Sequence, residues 1–192
     1  MAADGARPLP ARDLLRERLL QQRAQFGAGS ASTEAASTLG HELRLVIAKL
    51  EPQCLGIYWP HRGEFNAPAA VGGIEGLAKP PLALPFARRA PREMHYRAWD
   101  GTAPTLVDEC GIASSDGAEV VPDVVLVPCV GYTESGWRLG YGGGYFDRWL
   151  AAHGHVCAVG VAWSVARLDE DELAPQPHDV RLALIVTERG PV

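Results

Sequence analysis

"DVVLVPCVGYTESGWRLGYGGGYFDRWLA", residues 123–151, carries the reading that decides the fold. It opens on an almost unbroken apolar run, 123–130, of the kind shown by strands that are buried on both faces of a parallel sheet. It closes on residues that read as a helix over 145–152. Between the two, five glycines fall within nine positions, 136–144. Glycine inside or beside a regular element costs roughly 0.5–1 kcal/mol relative to alanine, so a cluster this dense requires bare backbone at that place.

The same alternation of helix and strand extends in both directions. Upstream, Leu15, Leu19 and Phe26 form one stripe at about 100° per residue, which predicts a helix over 12–26. On that projection Arg12, Arg16 and Arg23 fall within about 40° of one another beside the apolar stripe, so their basic heads belong at the edge of the core. Residues 27–32 break the pattern, and an Ala/Ser-rich bridge occupies 28–38. A second helix carries Leu39, Leu43, Val46 or Ile47, and Leu50, and stops at Pro52. "CLGIYW" (54–59) reads as a short buried strand that ends in the loop "PHRGEFNAP". A turn-rich connection at 72–81 leads to strands "LALPFA" (82–87) and "MHYRAW" (94–99), and 105–122 is mostly loop. "VCAVGVAW" (156–163) and "RLALIVTE" (181–188) complete the strands. This order predicts an α/β fold, an open and mostly parallel sheet flanked by helices. One domain over 1–192 is expected, with 1–10 as a loose tail.

Hydrophobic residues make up 47% of the chain and charged residues 21%, the balance of a soluble enzyme or binding domain rather than of a disordered chain. The net charge of −5 argues against a general nucleic-acid binder, although a local basic patch remains able to hold a phosphate. No apolar run reaches the roughly 18 residues of a membrane span, and the first thirty residues contain no signal-peptide core; both point to a cytoplasmic protein without a membrane partner. Cys54, Cys110, Cys129 and Cys157 form no CxxC pair, which leaves them as small buried hydrophobes rather than zinc ligands or disulfide partners. His153 and His155 flank one glycine with no third ligand nearby and are set aside as a metal site.

Ligands of open α/β sheets collect outside the carboxyl ends of the strands. A glycine-rich turn that enters a helix there exposes backbone N–H groups at the positive end of the helix dipole, which suits a phosphate. The spacing matches no familiar nucleotide fingerprint: Tyr145 stands where GxGxxG requires glycine, and GxxxxGK[ST] is absent. Pattern alone leaves two readings, a phosphate cradle or a tight packing turn without a ligand. Arg138 offers a fork of donors to a phosphate, and Asp147 offers a carboxylate to a magnesium ion shared with it. Asp147 would equally serve as a first-turn acid that complements the dipole.

"RLGYGGGYFDR" (138–148), with "YWPHRGE" (58–64), "PDVVLVPCVGY" (122–132), "PHD" (177–179) and "IVTE" (185–188), resembles the 5-formyltetrahydrofolate cyclo-ligase family, also called methenyltetrahydrofolate synthetase. The likeness runs in order over nearly the whole chain. It implies a three-layer sandwich of the sugar-phosphate isomerase and CoA-transferase type. It also implies an ATP- and Mg²⁺-dependent enzyme that converts 5-formyltetrahydrofolate to 5,10-methenyltetrahydrofolate, ADP and phosphate, a monomer acting on two small molecules.

Carried over by position, Arg12 and Arg16 would reach the ATP phosphates. Arg138, Gly140, Tyr141, Gly142, Gly143, Gly144, Tyr145 and Asp147 would cradle the nucleotide, with Asp147 also on the metal. Arg138, Tyr145 and Asp147 are the implied catalytic residues. Glu64, Tyr145 and Trp59 would meet the folate, Phe65 standing as an alternative to Trp59; Tyr58, Tyr96 and Trp99 are expected in the core. A lone acid such as Glu64 would otherwise be merely solvated.

Several positions depart from the family pattern. Cys110 to Ser115, "CGIASS", replaces an aromatic followed by Gly-Ile-x-Glu-Pro; Asn66 and Ala183 replace aspartates; Phe146 replaces a tyrosine. Arg12 and Gly143 stand where lysines occur. The nucleotide side is thus nearly intact and the folate wall altered. Two further readings remain open: a nucleotide-binding regulatory protein on the same fold with a degraded folate pocket, and a sugar-phosphate or CoA-handling enzyme of the wider fold group. A structural interaction domain, with the glycine loop empty, is a third.

Overall fold

The run 123–130 becomes the middle of an eight-stranded sheet because helices cover it on both faces. The computed structural model describes residues 11–72 and 79–192. The tail at 1–10 and most of the connection at 72–81 lie outside the described residues. The chain opens with helices α1 (Ala11–Ala28) and α2 (Ser32–Leu50), then β1 (Leu55–Gly56) and α3 (Ala67–Gly72). It continues with β2 (Leu82–Arg88), β3 (Glu93–Trp99), β4 (Leu106–Val107), β5 (Ala113–Ser114), β6 (Glu119–Val120) and β7 (Val124–Pro128). The strands β8 (Gly131–Tyr132) and β9 (Arg138–Leu139) precede α4 (Tyr145–Ala152), and β10 (Cys157–Val161), α5 (Glu170–Leu173), β11 (Leu184–Thr187) and β12 (Gly190–Pro191) follow it.

The sheet order is β12-β11-β10-β7-β1-β2-β3-β6. Pairings from β11 through β10, β7 and β1 to β2 are parallel; both edges, β12 on one side and β3 and β6 on the other, are antiparallel. Val124 of β7 faces Leu55 of β1 and Cys157 of β10. Side chains alternate across a strand, so Val125 and Val127 join one core with Leu15 and Leu19 of α1 and Trp149 and Leu150 of α4. Val124 and Leu126 join the other with Leu39, Leu43 and Ile47 of α2 and Val71 of α3. Two cores on one sheet make the three-layer sandwich that the sequence leads one to expect.

Several boundaries differ from the sequence reading. The Ala/Ser-rich bridge at 28–38 is for the most part the first two turns of α2, which starts at Ser32; alanine and serine within a helix pack as well as they do in a loop when the following turns bury leucines. Residues 181–183 stay outside β11, although the Ala183 N–H still reaches Ala158 O at 2.9 Å. All four cysteines are free, as expected, but only Cys129 is buried. Cys54 and Cys157 sit where β1 and β10 begin, beside Asp123, and Cys110 lies in a cavity wall, so each keeps some exposure. Among the described residues no helix is long and apolar enough to cross a membrane, and no group of three metal-ligating side chains occurs.

Candidate active site

Beyond the carboxyl end of β7, Gly131 and Tyr132 pair with Leu139 and Arg138 in a small hairpin that delivers the chain to the glycine loop. Three of the five glycines are required by backbone: Gly136 at φ +91°, in the turn before β9, Gly142 at φ +89°, and Gly144, the residue capping α4, at φ +63°. The left-handed region costs any other L-residue roughly 1–2 kcal/mol. Gly140 serves differently. A Cβ there would lie 2.7 Å from Nη1 of Arg138, so its bare Cα lets that guanidinium pack against the loop.

Helix α1 straps this loop from the outside. Arg16 donates through Nε to Gly140 O at 2.8 Å and also pairs with Asp13. One turn earlier, Arg12 donates to Asp179 Oδ2 at 3.0 Å. Under the loop, Arg138 donates to Asp147 Oδ2 at 3.0 Å, and the other carboxylate oxygen receives only a long contact, 3.4 Å, from the Val180 N–H. Among the described residues the buried Nε atoms of Arg12 and Arg138 have no partner. Arg23 Nε is unpaired in the same way, so these atoms mark closely packed guanidinium groups, while the remaining donors of Arg12, Arg16 and Arg138 border the cleft.

That cleft has a volume of about 550 Å³, and both halves of the expected site line it: Arg12, Arg16 and the 140–144 loop on one side, Trp59 and Glu64 on the other, with Tyr145 between. Trp59 is held edge-on against Trp99, ring centroids 6.1 Å apart. Glu64 Oε2 accepts from the His61 N–H at 2.8 Å and Oε1 from the Tyr141 hydroxyl at 2.9 Å. Burial pushes its carboxyl up to about 6, against the pull of those hydrogen bonds and of the Arg23 charge. Phe65, the alternative to Trp59, does not line the cleft. It is 6% exposed and packs edge-on against Trp163, because its backbone carbonyl is tied to the Tyr58 hydroxyl at 3.0 Å and turns the ring inward.

The segment "CGIASS" still builds a wall. Asp108 fixes it by accepting from the N–H groups of Cys110 (2.8 Å) and Ile112 (2.9 Å), while its other oxygen accepts from Ala87 (3.2 Å). Ser114 donates to Pro85 O at 2.8 Å and Ser115 to Ala98 O at 2.5 Å, so both serines bind the wall to the β2–β3 hairpin. Cys110 and Ile112 remain to face the cavity, and the Cys110 thiol donates to the Tyr145 hydroxyl at 3.3 Å.

Sequence reasoning passed over several residues of this cleft. Asp179, whose motif was noted only as part of the resemblance, pairs with Arg12. Gln176 and His178 line the cleft beside it. Arg62 also lines it, with φ +48°, a strained conformation for a side chain of its size. Arg23 is missing altogether from the expected site, although the helical projection placed it with Arg12 and Arg16.

A mostly parallel sheet with a glycine loop and a helix at the carboxyl end of a central strand is the architecture of an open α/β protein, in which ligands collect outside the carboxyl ends of the strands. The chain belongs to the 5-formyltetrahydrofolate cyclo-ligase family, whose model matches residues 82–188, more than half of its length. Over 69 residues it is 41% identical to a 5-formyltetrahydrofolate cyclo-ligase of Mycolicibacterium smegmatis, and over 67 residues 36% identical to one of Mycoplasma pneumoniae. These stretches cover 35% and 34% of this chain and span only 34% and 39% of those curated relatives. The solved structures agree over far more of the molecule. A 5,10-methenyltetrahydrofolate synthetase of Mycoplasma pneumoniae matches 92% of this chain and 98% of its own, at 20% identity and a TM-score of 0.71, a likeness of fold. One of Aquifex aeolicus matches 95% and 92%, at 25% identity and a TM-score of 0.74.

Proposed function

We propose that this protein couples ATP cleavage to the cyclisation of 5-formyltetrahydrofolate, releasing 5,10-methenyltetrahydrofolate, ADP and phosphate. One observation carries the reading: a single cleft is lined by the arginine-strapped glycine loop on one side and by Trp59, Glu64 and Tyr145 on the other, so a triphosphate and a flat bicyclic ligand would meet there. The family and the named relatives point to the same pair of substrates.

The chemistry fits such a cleft. Ring closure by N10 on the N5-formyl carbon stalls at expelling the formyl oxygen. Transfer of the γ-phosphoryl group to that oxygen makes it leave as phosphate. Both reacting groups belong to one folate, where effective molarities on the order of 10⁵ M or more become available once the pose is right. The protein's part is therefore positioning and charge neutralisation. Arg12 and Arg16 would hold the outer phosphates through their remaining donors. The backbone N–H groups of 140–144 would receive the phosphates at the start of α4, and Arg138 would meet the charge that develops on the bridging oxygen. Tyr145 and Trp59 would clamp the pterin, and Glu64 would accept from its ring amines.

Magnesium fits Asp147. A hard carboxylate oxygen suits this ion, which binds through one or two carboxylates plus substrate phosphates, and Asp147 Oδ1 is the oxygen engaged only by a long contact. When bound, the ion would spread the negative charge of the β- and γ-phosphates. The reading includes a cytoplasmic monomer without a membrane partner, and the net charge of −5 supports the absence of a general nucleic-acid partner.

The test is to incubate purified protein with 5-formyltetrahydrofolate and magnesium, with and without ATP, and to follow the methenyl absorbance. Growth of the chromophore only with ATP is expected. A flat trace in both arms would overturn the reading.

A further inference from the structure

Arg23 is the buried member of the arginine row on α1. It is 3% exposed and lies two turns beyond Arg16, on the same side of the helix. Its Nη2 donates to Cys129 O at 2.5 Å, which anchors the guanidinium to the segment that leaves β7. Its Nη1 donates to the Tyr141 hydroxyl at 2.9 Å. With that lone pair engaged, the Tyr141 proton is directed to Glu64 Oε1, 2.9 Å away, and the nearby His61 O at 3.3 Å is the weaker acceptor. The two oxygens of Glu64 are thus fixed from opposite sides, one by Tyr141 and one by the His61 N–H.

Tyr141 belongs to the glycine loop, and Glu64 to the loop after β1. The aromatic ring therefore bridges the two halves of the cleft, and it also meets the His61 ring at 5.8 Å. The loop around Glu64 is shaped for this approach. Gly63, at φ +75°, presents its bare Cα to the Arg23 side chain, where a Cβ would lie 3.5 Å from the Arg23 methylenes, and Gly63 O accepts from Trp163 Nε1 at 3.1 Å. Burying an arginine beside a phenol is costly unless its charge has work to do.

We infer that Tyr141, pinned by the buried guanidinium of Arg23, is the positioning residue for Glu64, and that the Arg23–Tyr141–Glu64 chain ties the nucleotide loop to the substrate-facing carboxylate. The inference rests on the proposed folate site for its effect on turnover, but not for its geometry. The groups that face Glu64 are Arg23 from α1, Tyr58 after β1, Cys129 after β7, Tyr141 from the glycine loop and His61 from its own loop. The hydrogen bond from Tyr141 and the charge of Arg23 both hold the Glu64 carboxyl down against burial.

The experiment compares wild type, Tyr141→Phe, Arg23→Met and Arg23→Lys. The Glu64 carboxyl is titrated by carbon-13 NMR of the unliganded protein, with Glu64→Gln to assign its signal, and steady-state KM values are measured for 5-formyltetrahydrofolate and for Mg-ATP. Tyr141→Phe removes one hydroxyl from a residue that is 38% exposed, so it keeps the fold whatever Arg23→Met does. Its Glu64 titration should move above the wild-type value of about 6, and its folate KM should rise on the order of tenfold, the effect of one lost hydrogen bond to a charged acceptor. The KM for Mg-ATP should rise less than the folate KM, because phenylalanine keeps the backbone N–H of the loop, and lysine at 23 should restore part of the titration shift that methionine causes, as a cation retained in the same place. An unchanged Glu64 titration in Tyr141→Phe would overturn the inference. A shifted titration in a protein whose wild type turns over no folate would uphold the positioning and remove the folate reading instead.

Discussion

Arg138 and Asp147 hold each other at 3.0 Å beneath the glycine loop, with side chains 4% and 15% exposed. The pair explains how a loop with four glycines, Gly140 and Gly142 to Gly144, keeps one shape. Arg138 begins β9, Asp147 lies in the first turn of α4, and their contact closes the loop between them like a clasp. Removing one partner of a buried pair leaves the other charged and unsatisfied, at a cost of about 3 kcal/mol. Asp147→Ala is therefore expected to lose both methenyl formation and thermal stability. Asp147→Asn keeps an acceptor for Arg138 and should melt within a few degrees of wild type while losing the magnesium dependence of turnover. Scanning calorimetry beside the chromophore assay separates the two effects; equal turnover in wild type and Asp147→Asn would discard the metal assignment.

The Glu64 carboxyl sets a pH dependence of opposite sign for stability and for activity. Its folded-state value of about 6 stands above the 4.5 of a free carboxyl because burial disfavours the charge. The folded protein thus binds the proton more tightly than the unfolded chain. The stability that this group contributes is complete below about pH 4.5 and is lost as the pH rises through about 6. Partial exposure to the cleft limits the effect to about 1 kcal/mol. Glu64→Gln should flatten that slope in urea melts between pH 4.5 and 7. If Glu64 accepts from the pterin amines as proposed, turnover needs its ionised form, so the wild-type folate kcat/KM should fall below about pH 6, and an acid limb that persists unchanged in Glu64→Gln would assign it to another group.

Much of this was legible in the sequence because the decisive signals are local. The β7 run reads as buried on both faces since Val124 and Leu126 alternate with Val125 and Val127 into two cores. The glycine loop reads as special since positive φ at Gly142 and Gly144 excludes other residues. Arg12 and Arg16 emerge from one helical projection. What the sequence withheld depends on contacts between distant segments. Whether Arg23 points to solvent or into the core is decided by Cys129 and Tyr141, more than a hundred residues away. Phe65 and Trp59 are equally aromatic and close in sequence, and only the turn around Gly63 sends one to Trp163 and the other to the cleft. Cys54 and Cys157 escaped for the same reason, since their positions at the starts of strands follow from sheet order.

Arg16 should act on the nucleotide and not on the folate. Its Nε holds Gly140 O, and a Cβ on Gly142 would lie 3.3 Å from its Cζ, so the guanidinium lies against the loop that would take the phosphates. Arg16→Ala is expected to raise the KM for Mg-ATP at least tenfold, the scale of one charge-assisted contact, with the folate KM moving by less than about twofold. Initial-rate measurements with each substrate varied in turn decide this, and a larger effect on folate would move Arg16 out of the nucleotide half.

Gly142→Ala should reproduce that phenotype by a different route. An alanine at φ +89° costs roughly 1–2 kcal/mol of backbone strain, and its methyl group would press on the Arg16 guanidinium. The urea midpoint should fall and the KM for Mg-ATP should rise together. If alanine lowered stability but left the ATP KM unchanged, the loop would be a packing turn and the arginine strap irrelevant to the nucleotide.

Gly56 offers a control for the fold that leaves the cleft alone. It lies in β1 at the middle of the sheet, where glycine is otherwise unfavourable. A Cβ there would stand 2.8 Å from both Tyr96 Cε1 and Val125 Cγ1 and 2.9 Å from Pro122 Cγ. Those atoms belong to β3, to β7 and to the turn before β7, so no single side chain can swing aside to make room. Overpacking of this kind costs typically 1–3 kcal/mol, and Gly56→Ala should lose about that much in urea denaturation. Because Gly56 does not line the cleft, the KM values for both substrates should remain within about twofold of wild type at temperatures where the variant is folded. A Gly56→Ala protein as stable as wild type would mean that the close approach of β3 to this strand is looser than the register of the sheet requires.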